Sequence, residues 1–453
     1  MNNNQSQALA TEPVGKLLLK LSAPAIAAQI VNLLYNLVDR MYIGHIEGIG
    51  KLALTGVGVC LPLILIISAF AALVGMGSAP RASIFMGKGD KDTAENILGN
   101  SFSLLILVSA ALTVIFQLFS RPMLLSFGAS ENTIKYALDY IKIYSLGTIF
   151  VQLTLGMNAF ISAQGFAKTS MMTVLIGAAC NIVLDPVFIF GFGMGVKGAA
   201  LATIISQAVS MTWILIFLSG KKTELKIRRK NLALKPAIFL PCMALGLSPF
   251  IMQATESVIS VCFNSSLLKY GGDIAVGSMT IVTSVMQLSM MPLQGICQGS
   301  QPIISYNYGA KNAARVKQGF KLTIISCLTL SFTVWALVML FPQVFVKVFN
   351  NDPELVSFAV RALRLYMAVT CIFGAQIACQ QTFIALGNAK CSLFLALLRK
   401  IFLLVPFIYI LPMFMADKAA AVFLAEPAAD IIAVTCTVLL FRREFKHAMA
   451  TLK

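Results

Sequence analysis

The chain has 453 residues, of which 58% are hydrophobic and only 12% charged, and its mean hydropathy is +0.84. A soluble globular domain carries about twice that share of charge, so the composition excludes a soluble fold and points to a polytopic membrane protein. The net charge of +17 is accounted for by basic loops on the inner side of a membrane rather than by a nucleic-acid partner.

Apolar runs predict twelve transmembrane helices, near 17–43, 52–78, 97–119, 134–157, 169–190, 197–218, 237–264, 275–298, 320–341, 356–381, 391–414 and 419–441. The segment before them, MNNNQSQALATEPVGK, has no basic n-region and no cleavage site, so no signal peptide is expected. Span one carries Gln29, Asn32, Asn36 and Asp39, which fall within about 80° of one helix face. Asn158 closes span four. Span five places Asn181 and Asp185 one turn apart, and span six carries a stripe of Thr203, Ser206, Gln207 and Ser210. A carboxylate at mid-membrane costs a few kcal/mol, so Asp39 and Asp185 are functional candidates. A buried ion pair is the alternative for each, and Asp185, before Pro186, also has a role as a helix-end residue open to it. For the Ser, Thr, Asn and Gln residues the alternative is hydrogen bonding between helices.

Two motifs imitate nucleotide sites. FGFGMGVKG contains G-x-G-x-x-G but joins two spans, outside any strand–turn–helix unit, and its glycines are expected to form a tight outer turn. FMGKGD (85–90) lacks the upstream Gly and the Ser or Thr of a phosphate-binding loop. No ATP site is expected. With only His45 and His447, no multi-histidine metal site is available, and the ten Cys, mostly within apolar runs without C-x-x-C spacing, read as small buried hydrophobes.

The basic run KKTELKIRRKNLALK (221–235) lies between spans six and seven and reads as an inner linker. It divides the chain into an N-terminal lobe of six helices (1–220) and a C-terminal lobe of six (236–453). In the second lobe, span seven aligns Gln253, Glu256, Ser257, Ser260 and Asn264. Span eight aligns Thr280, Ser284, Gln287, Gln294 and Gln298 over about 27 Å, long enough to face water or a cleft. Span eleven holds Arg399 and Lys400, and span twelve Glu426 and Asp430, which form a possible second polar cluster. The connections carry 22 Lys and Arg on one side against 10 on the other, which puts both termini in the cytoplasm.

The halves repeat. GSAPRASIFMG (77–87) matches GSQPIISYNYG (299–309), GFAKTS (165–170) matches GNAKCS (387–392) at the same offset, and DPVFIF (185–190) resembles VPFIYI (405–410) at nearly that offset. An even number of helices per repeat gives two lobes of like direction related by an axis along the membrane normal, a transporter plan with a cleft between the lobes and alternating access as its motion.

NLVDRMYIGH (36–45), NIVLDPVFIFGFGMGVKGAALAT (181–203) and QGSQPIISYNYGAKN (298–312) resemble the multidrug and toxic compound extrusion (MATE) family over essentially the whole chain. The resemblance implies export of cationic or amphipathic compounds in exchange for H⁺ or Na⁺. It implies an N-lobe cation site at Asp39, Asn181, Asp185, Thr203 and Asn158. A branch of the family uses a Glu on helix seven, matched by Glu256, and an Asp on helix ten. Span ten offers Gln376, Gln380 and Gln381 instead, so a complete C-lobe Na⁺ site is not expected.

The reading is therefore an all-α, multi-pass, prokaryotic plasma-membrane antiporter, monomeric, with small organic cations and membrane lipids as its partners. Asp39 and Asp185 are its coupling pair. Gln29, Tyr35, Asn36, Glu256, Gln287 and Gln294 line the substrate cleft beside the Met-rich MQLSMMP (286–292). No cofactor is expected beyond H⁺ or Na⁺ as coupling ion, and no metal beyond Na⁺. The alternatives are a lipid-linked or polyprenyl flippase, which calls for a strongly basic cleft, and a membrane-embedded enzyme, which calls for a nucleophile–base set or a metal cluster.

Overall fold

The computed structural model describes residues 4–452, and among them the chain is all helical. A short α1 (Asn4–Thr11) precedes α2 (Val14–Gly44), α3 (Gly50–Gly87) and α4 (Lys91–Ser126). The fourth crossing is split at Gly147 into α5 (Ile134–Leu146) and α6 (Thr148–Ala163), bent by 58°. The first lobe ends with α7 (Ala167–Pro186), its π-helical extension Val187–Gly191, and α8 (Val196–Ser219). Gly193 and Gly195, at φ 65° and 56°, make the tight turn between them, a conformation open to glycine and strained for other residues.

The second lobe opens with α9 (Pro236–Gly309), whose 74 residues are interrupted at Gly272 (φ 64°, ψ −160°). A straight helix of that length would run about 110 Å, far beyond a hydrocarbon core of about 30 Å. Its two arms therefore cross separately. Next come α10 (Ala313–Leu340), a short α11 (Pro342–Lys347), and a bent pair α12 (Pro353–Tyr366) and α13 (Thr370–Ala385), inclined at 48°. The last crossings are α14 (Ala389–Leu397), a π-helical stretch Leu398–Leu404 and α15 (Val405–Phe414) as one, and α16 (Lys418–Ala450). Nine described helices are long and apolar enough to cross a membrane, and the bent pairs bring the number to eleven. The two arms of α9 complete twelve. Spans four and ten, expected as single helices, are each broken in the middle.

The repeat sets how the lobes meet. At Gly87 a Cβ would run into the carbonyl oxygen of Tyr306, and at Gly309 into that of Ile84. These are the same contact seen from the two sides of a pseudo-twofold axis. A related pair lies deeper: Gly246 abuts Leu73, and Gly295 abuts Ile26. Glycine is required because backbone touches backbone there.

All these contacts lie toward one face, which also carries α1, the linker and the C-terminal end of α16. Asn307 donates to the Leu9 carbonyl at 2.9 Å, and Arg315 donates to those of Leu9 (3.0 Å) and Glu12 (2.7 Å), so α1 is strapped to the second lobe. The linker is pinned to the first. Buried Gln164 accepts from Thr223, Glu224 and Leu225, Glu95 accepts from Lys226 N–H and Arg228, and Asn100 accepts from Lys235 N–H.

Toward the opposite face the helices show two exposed sides. On the first arm of α9, Glu256, Ser260 and Asn264 are exposed along one stripe, and Val258, Val261 and Leu268 along another. On α2, Asn36 and Arg40 are exposed on one side, and Leu34, Leu37 and Met41 on the other. The apolar side suits lipid. The polar side is unsuited to lipid and is what a cleft between the lobes would expose, at the end away from the glycine contacts.

Candidate functional site

Inside the first lobe, α2, α7 and α8 bring Asp39, Asn181, Asp185 and Thr203 together, all four buried. The i,i+4 spacing on α7 lets Asn181 Nδ2 donate to Asp185 Oδ1 at 3.3 Å, and the same amide reaches Thr203 Oγ1 at 3.4 Å. Thr203 in turn donates to the Ala199 carbonyl one turn back, at 2.9 Å, which fixes its rotamer. The carboxyls of Asp39 and Asp185 face each other in this pocket, close enough to interact directly.

Three oxygens in this pocket are buried and without a protein donor: Asp39 Oδ1, Asp185 Oδ2 and Asn181 Oδ1. Two facing carboxyls in a low-dielectric interior need a proton between them or a cation against them. The arrangement therefore has the chemistry of a site that takes up positive charge. Asp185 precedes Pro186, and the π-helical turn that follows accommodates the ring; the carboxyl itself points inward to the cluster, so its place is more than that of a helix-end residue.

Three tyrosines close the pocket. Tyr35 and Tyr140 lie against Thr203, and Tyr140 stacks on Tyr144 with ring centroids 5.8 Å apart. Tyr35, expected in the cleft, belongs to this pocket. Tyr140 and Tyr144 were not singled out from sequence, although their i,i+4 spacing on α5 marks one face.

Asn158 is not brought to the pocket. Its amide donates to the carbonyl of Ser170 at 3.3 Å, near the start of α7, which puts it about 16 Å along the helix axis from Asn181. Helical phase was compatible with a shared face, but phase says nothing about depth in the membrane.

Of the expected cleft residues, Asn36, Glu256, Gln287 and Gln294 are exposed, and Gln29 is half-buried. In the second lobe Arg399 takes two carboxylates of α16, Glu426 at 2.6 Å and Asp430 at 2.7 Å, while its guanidinium stacks over Phe373 at 4.5 Å. Lys400 instead turns to Glu256, at 2.8 Å. The sequence offered both cations to Glu426 and Asp430; the structure divides them between two helices.

Two six-helix lobes around a polar cleft, with paired carboxyls buried in one of them, define a two-lobed membrane transporter. The MatE family model matches residues 24–187 and 249–410, and the chain belongs to that family. Membership makes it a transporter rather than an enzyme, and a multi-pass plasma-membrane protein. The chain is 28% identical over 354 residues to the multidrug export protein MepA of Staphylococcus haemolyticus (strain JCSC1435), covering 78% of this chain and 77% of that protein. It is 26% identical over 417 residues to MepA of Staphylococcus aureus (strain NCTC 8325 / PS 47), covering 91% and 90%. Among solved structures, a MATE protein in the bent conformation superimposes with a TM-score of 0.93 at 24% identity, covering 100% of both chains. An outward-facing multidrug resistance MATE transporter does so with a TM-score of 0.90 at 24% identity, over 99% of each. These likenesses establish the fold.

Proposed function

We propose that this protein is a secondary active exporter of cationic or amphipathic organic compounds, driven by H⁺ or Na⁺ taken up between Asp39 and Asp185. The observation that carries the reading is the facing pair of buried carboxyls, an oxygen of each and the adjacent Asn181 Oδ1 being without a protein donor. A proton bridges such a pair directly. Na⁺ instead fits the oxygen set of Asp39, Asp185, Asn181 and Thr203, since hard cations prefer carboxylate, amide and hydroxyl oxygen. The relatives' description as multidrug export proteins supports the substrate class.

The basic face, holding α1, the linker and the end of α16, is the cytoplasmic one by the positive-inside rule. The cleft then opens outward in this conformation, and the glycine contacts seal the cytoplasmic side. Uptake of a cation between Asp39 and Asp185 changes the charge at one end of α2, the helix that also packs on the second lobe through Ile26. Alternating access follows if the two lobe arrangements bind that cation unequally.

The test is transport in proteoliposomes of a fluorescent cationic dye, first under an imposed pH gradient and then under an imposed Na⁺ gradient. Asp39→Asn and Asp185→Asn should each abolish gradient-driven efflux in protein that still inserts and folds. If both variants pump normally under both gradients, the coupling site is wrong.

A further inference from the structure

Five charged side chains meet in the second lobe: Glu256 on α9, Arg399 and Lys400 on the π-helical stretch, and Glu426 and Asp430 on α16. Two cations face three carboxylates, which leaves one negative charge in excess when all are ionised. The two cations are held differently. Arg399 is buried, donates Nη2 to Glu426 and Nε to Asp430, and is clamped by the Phe373 ring. Nothing in that arrangement is free to exchange. Lys400 has one carboxylate partner, Glu256, and the pair is lopsided: the Lys400 side chain is 10% exposed and the Glu256 side chain 56%.

Glu256 thus presents one side to a buried ammonium and the other to the cleft, at the head of the stripe that continues through Ser260 and Asn264. An ammonium on a flexible stem is a point charge that can swing to a second acceptor. Glu426 lies within electrostatic reach of Lys400, so a displaced lysine keeps a carboxylate nearby.

We infer that Lys400 is a tethered internal cation which occupies Glu256, the cleft carboxylate the family resemblance already marks, and competes there with an organic cation. This rests on the export reading above and adds the residue that selects for charge. The excess negative charge of the cluster is what an incoming monocation balances. A neutral amphiphile gains nothing from it, so Lys400 sets the discrimination between charged and neutral compounds. Displacement by substrate in one lobe arrangement, and return of Lys400 in the other, supplies a release step without any new group.

The test is equilibrium binding of ethidium and tetraphenylphosphonium to the purified full-length protein in detergent, with a neutral amphiphile of similar size in parallel and no ion gradient. Lys400→Met should tighten binding of both cations by about tenfold, the size of an ordinary coupling between competing ligands, and leave the neutral probe unchanged. Glu256→Gln should weaken the cations by a similar factor, and the double variant should behave as Glu256→Gln. The inference is overturned if Lys400→Met weakens cation binding or leaves it unchanged, or if the neutral probe shifts equally. Should Lys400→Met fail to fold, the exchanged pair Glu256→Lys with Lys400→Glu keeps an ion pair but buries the carboxylate. It should lose cation affinity, and retained affinity would refute the inference. A wild-type protein that binds neither cation would sink the export reading itself, whereas wild-type binding insensitive to both residues sinks only the inference.

Discussion

Replacing Gly87 by alanine adds a single methyl group at the point where the lobes touch. The new Cβ would overlap the carbonyl oxygen of Tyr306 and come within 2.9 Å of the Ala310 nitrogen. Both obstacles are backbone, so no side-chain rotation relieves them, and the lobes must part locally. Overpacking of this kind costs about 1–3 kcal/mol. Alanine also gains about 1 kcal/mol of helix propensity over glycine, but α3 is helical whether the lobes are together or apart, so that gain cancels in their ratio. The closed arrangement of the basic face should therefore lose a factor of about 5–150 relative to the open one. Spin labels at Lys91→Cys and Lys317→Cys, one on each lobe near that face and both exposed, report the separation by double electron–electron resonance in a background cleared of reactive native cysteines. The parent protein should give one short distance. Gly87→Ala should add a longer population, and Gly309→Ala should do the same through Ile84. An unchanged distance distribution in folded Gly87→Ala and Gly309→Ala would refute the claim that these glycines hold the face shut.

Other expectations are more local. Arg399→Met leaves Glu426 and Asp430 buried without their cation and should destabilise the detergent-solubilised protein by about 3–5 kcal/mol, read as a lower melting temperature; adding Glu426→Gln and Asp430→Asn should recover much of the loss. Gln164→Ala removes the acceptor that fixes Thr223, Glu224 and Leu225 and should cost about 1–3 kcal/mol, whereas Gln164→Glu, which keeps an acceptor oxygen, should stay closer to wild type. Asp90 caps α4 by accepting from Thr93 N–H at 3.0 Å, and that bond holds its carboxyl below the ordinary range. Asp90→Ala should cost about 1 kcal/mol at neutral pH. Because the folded value is lowered, this difference is present above about pH 4 and disappears as pH falls through the folded value; melting curves of both proteins against pH check it.

The sequence by itself determined the class of molecule, the spans, the repeat and which four buried polar residues meet in the first lobe. The reason is energetic. Lipid tolerates so few polar groups that Asp39, Asn181, Asp185 and Thr203 stand out without any knowledge of their neighbours, and helical phase puts each on an inward face. The tertiary structure decided which groups meet. Phase fixes an angle around a helix, not a depth along it or a partner across from it, so Asn158 could share a face with the pocket and still lie two turns or more away. The same limit hid the division of Arg399 and Lys400 between α16 and α9, and the gathering of Tyr35, Tyr140 and Tyr144 around the carboxyl pocket. It also hid the use of the repeated glycines: the spacing of GSAPRASIFMG and GSQPIISYNYG was legible, but only packing shows Gly87 against Tyr306 and Gly309 against Ile84, because a close approach of two backbones is a property of the pair and not of either segment.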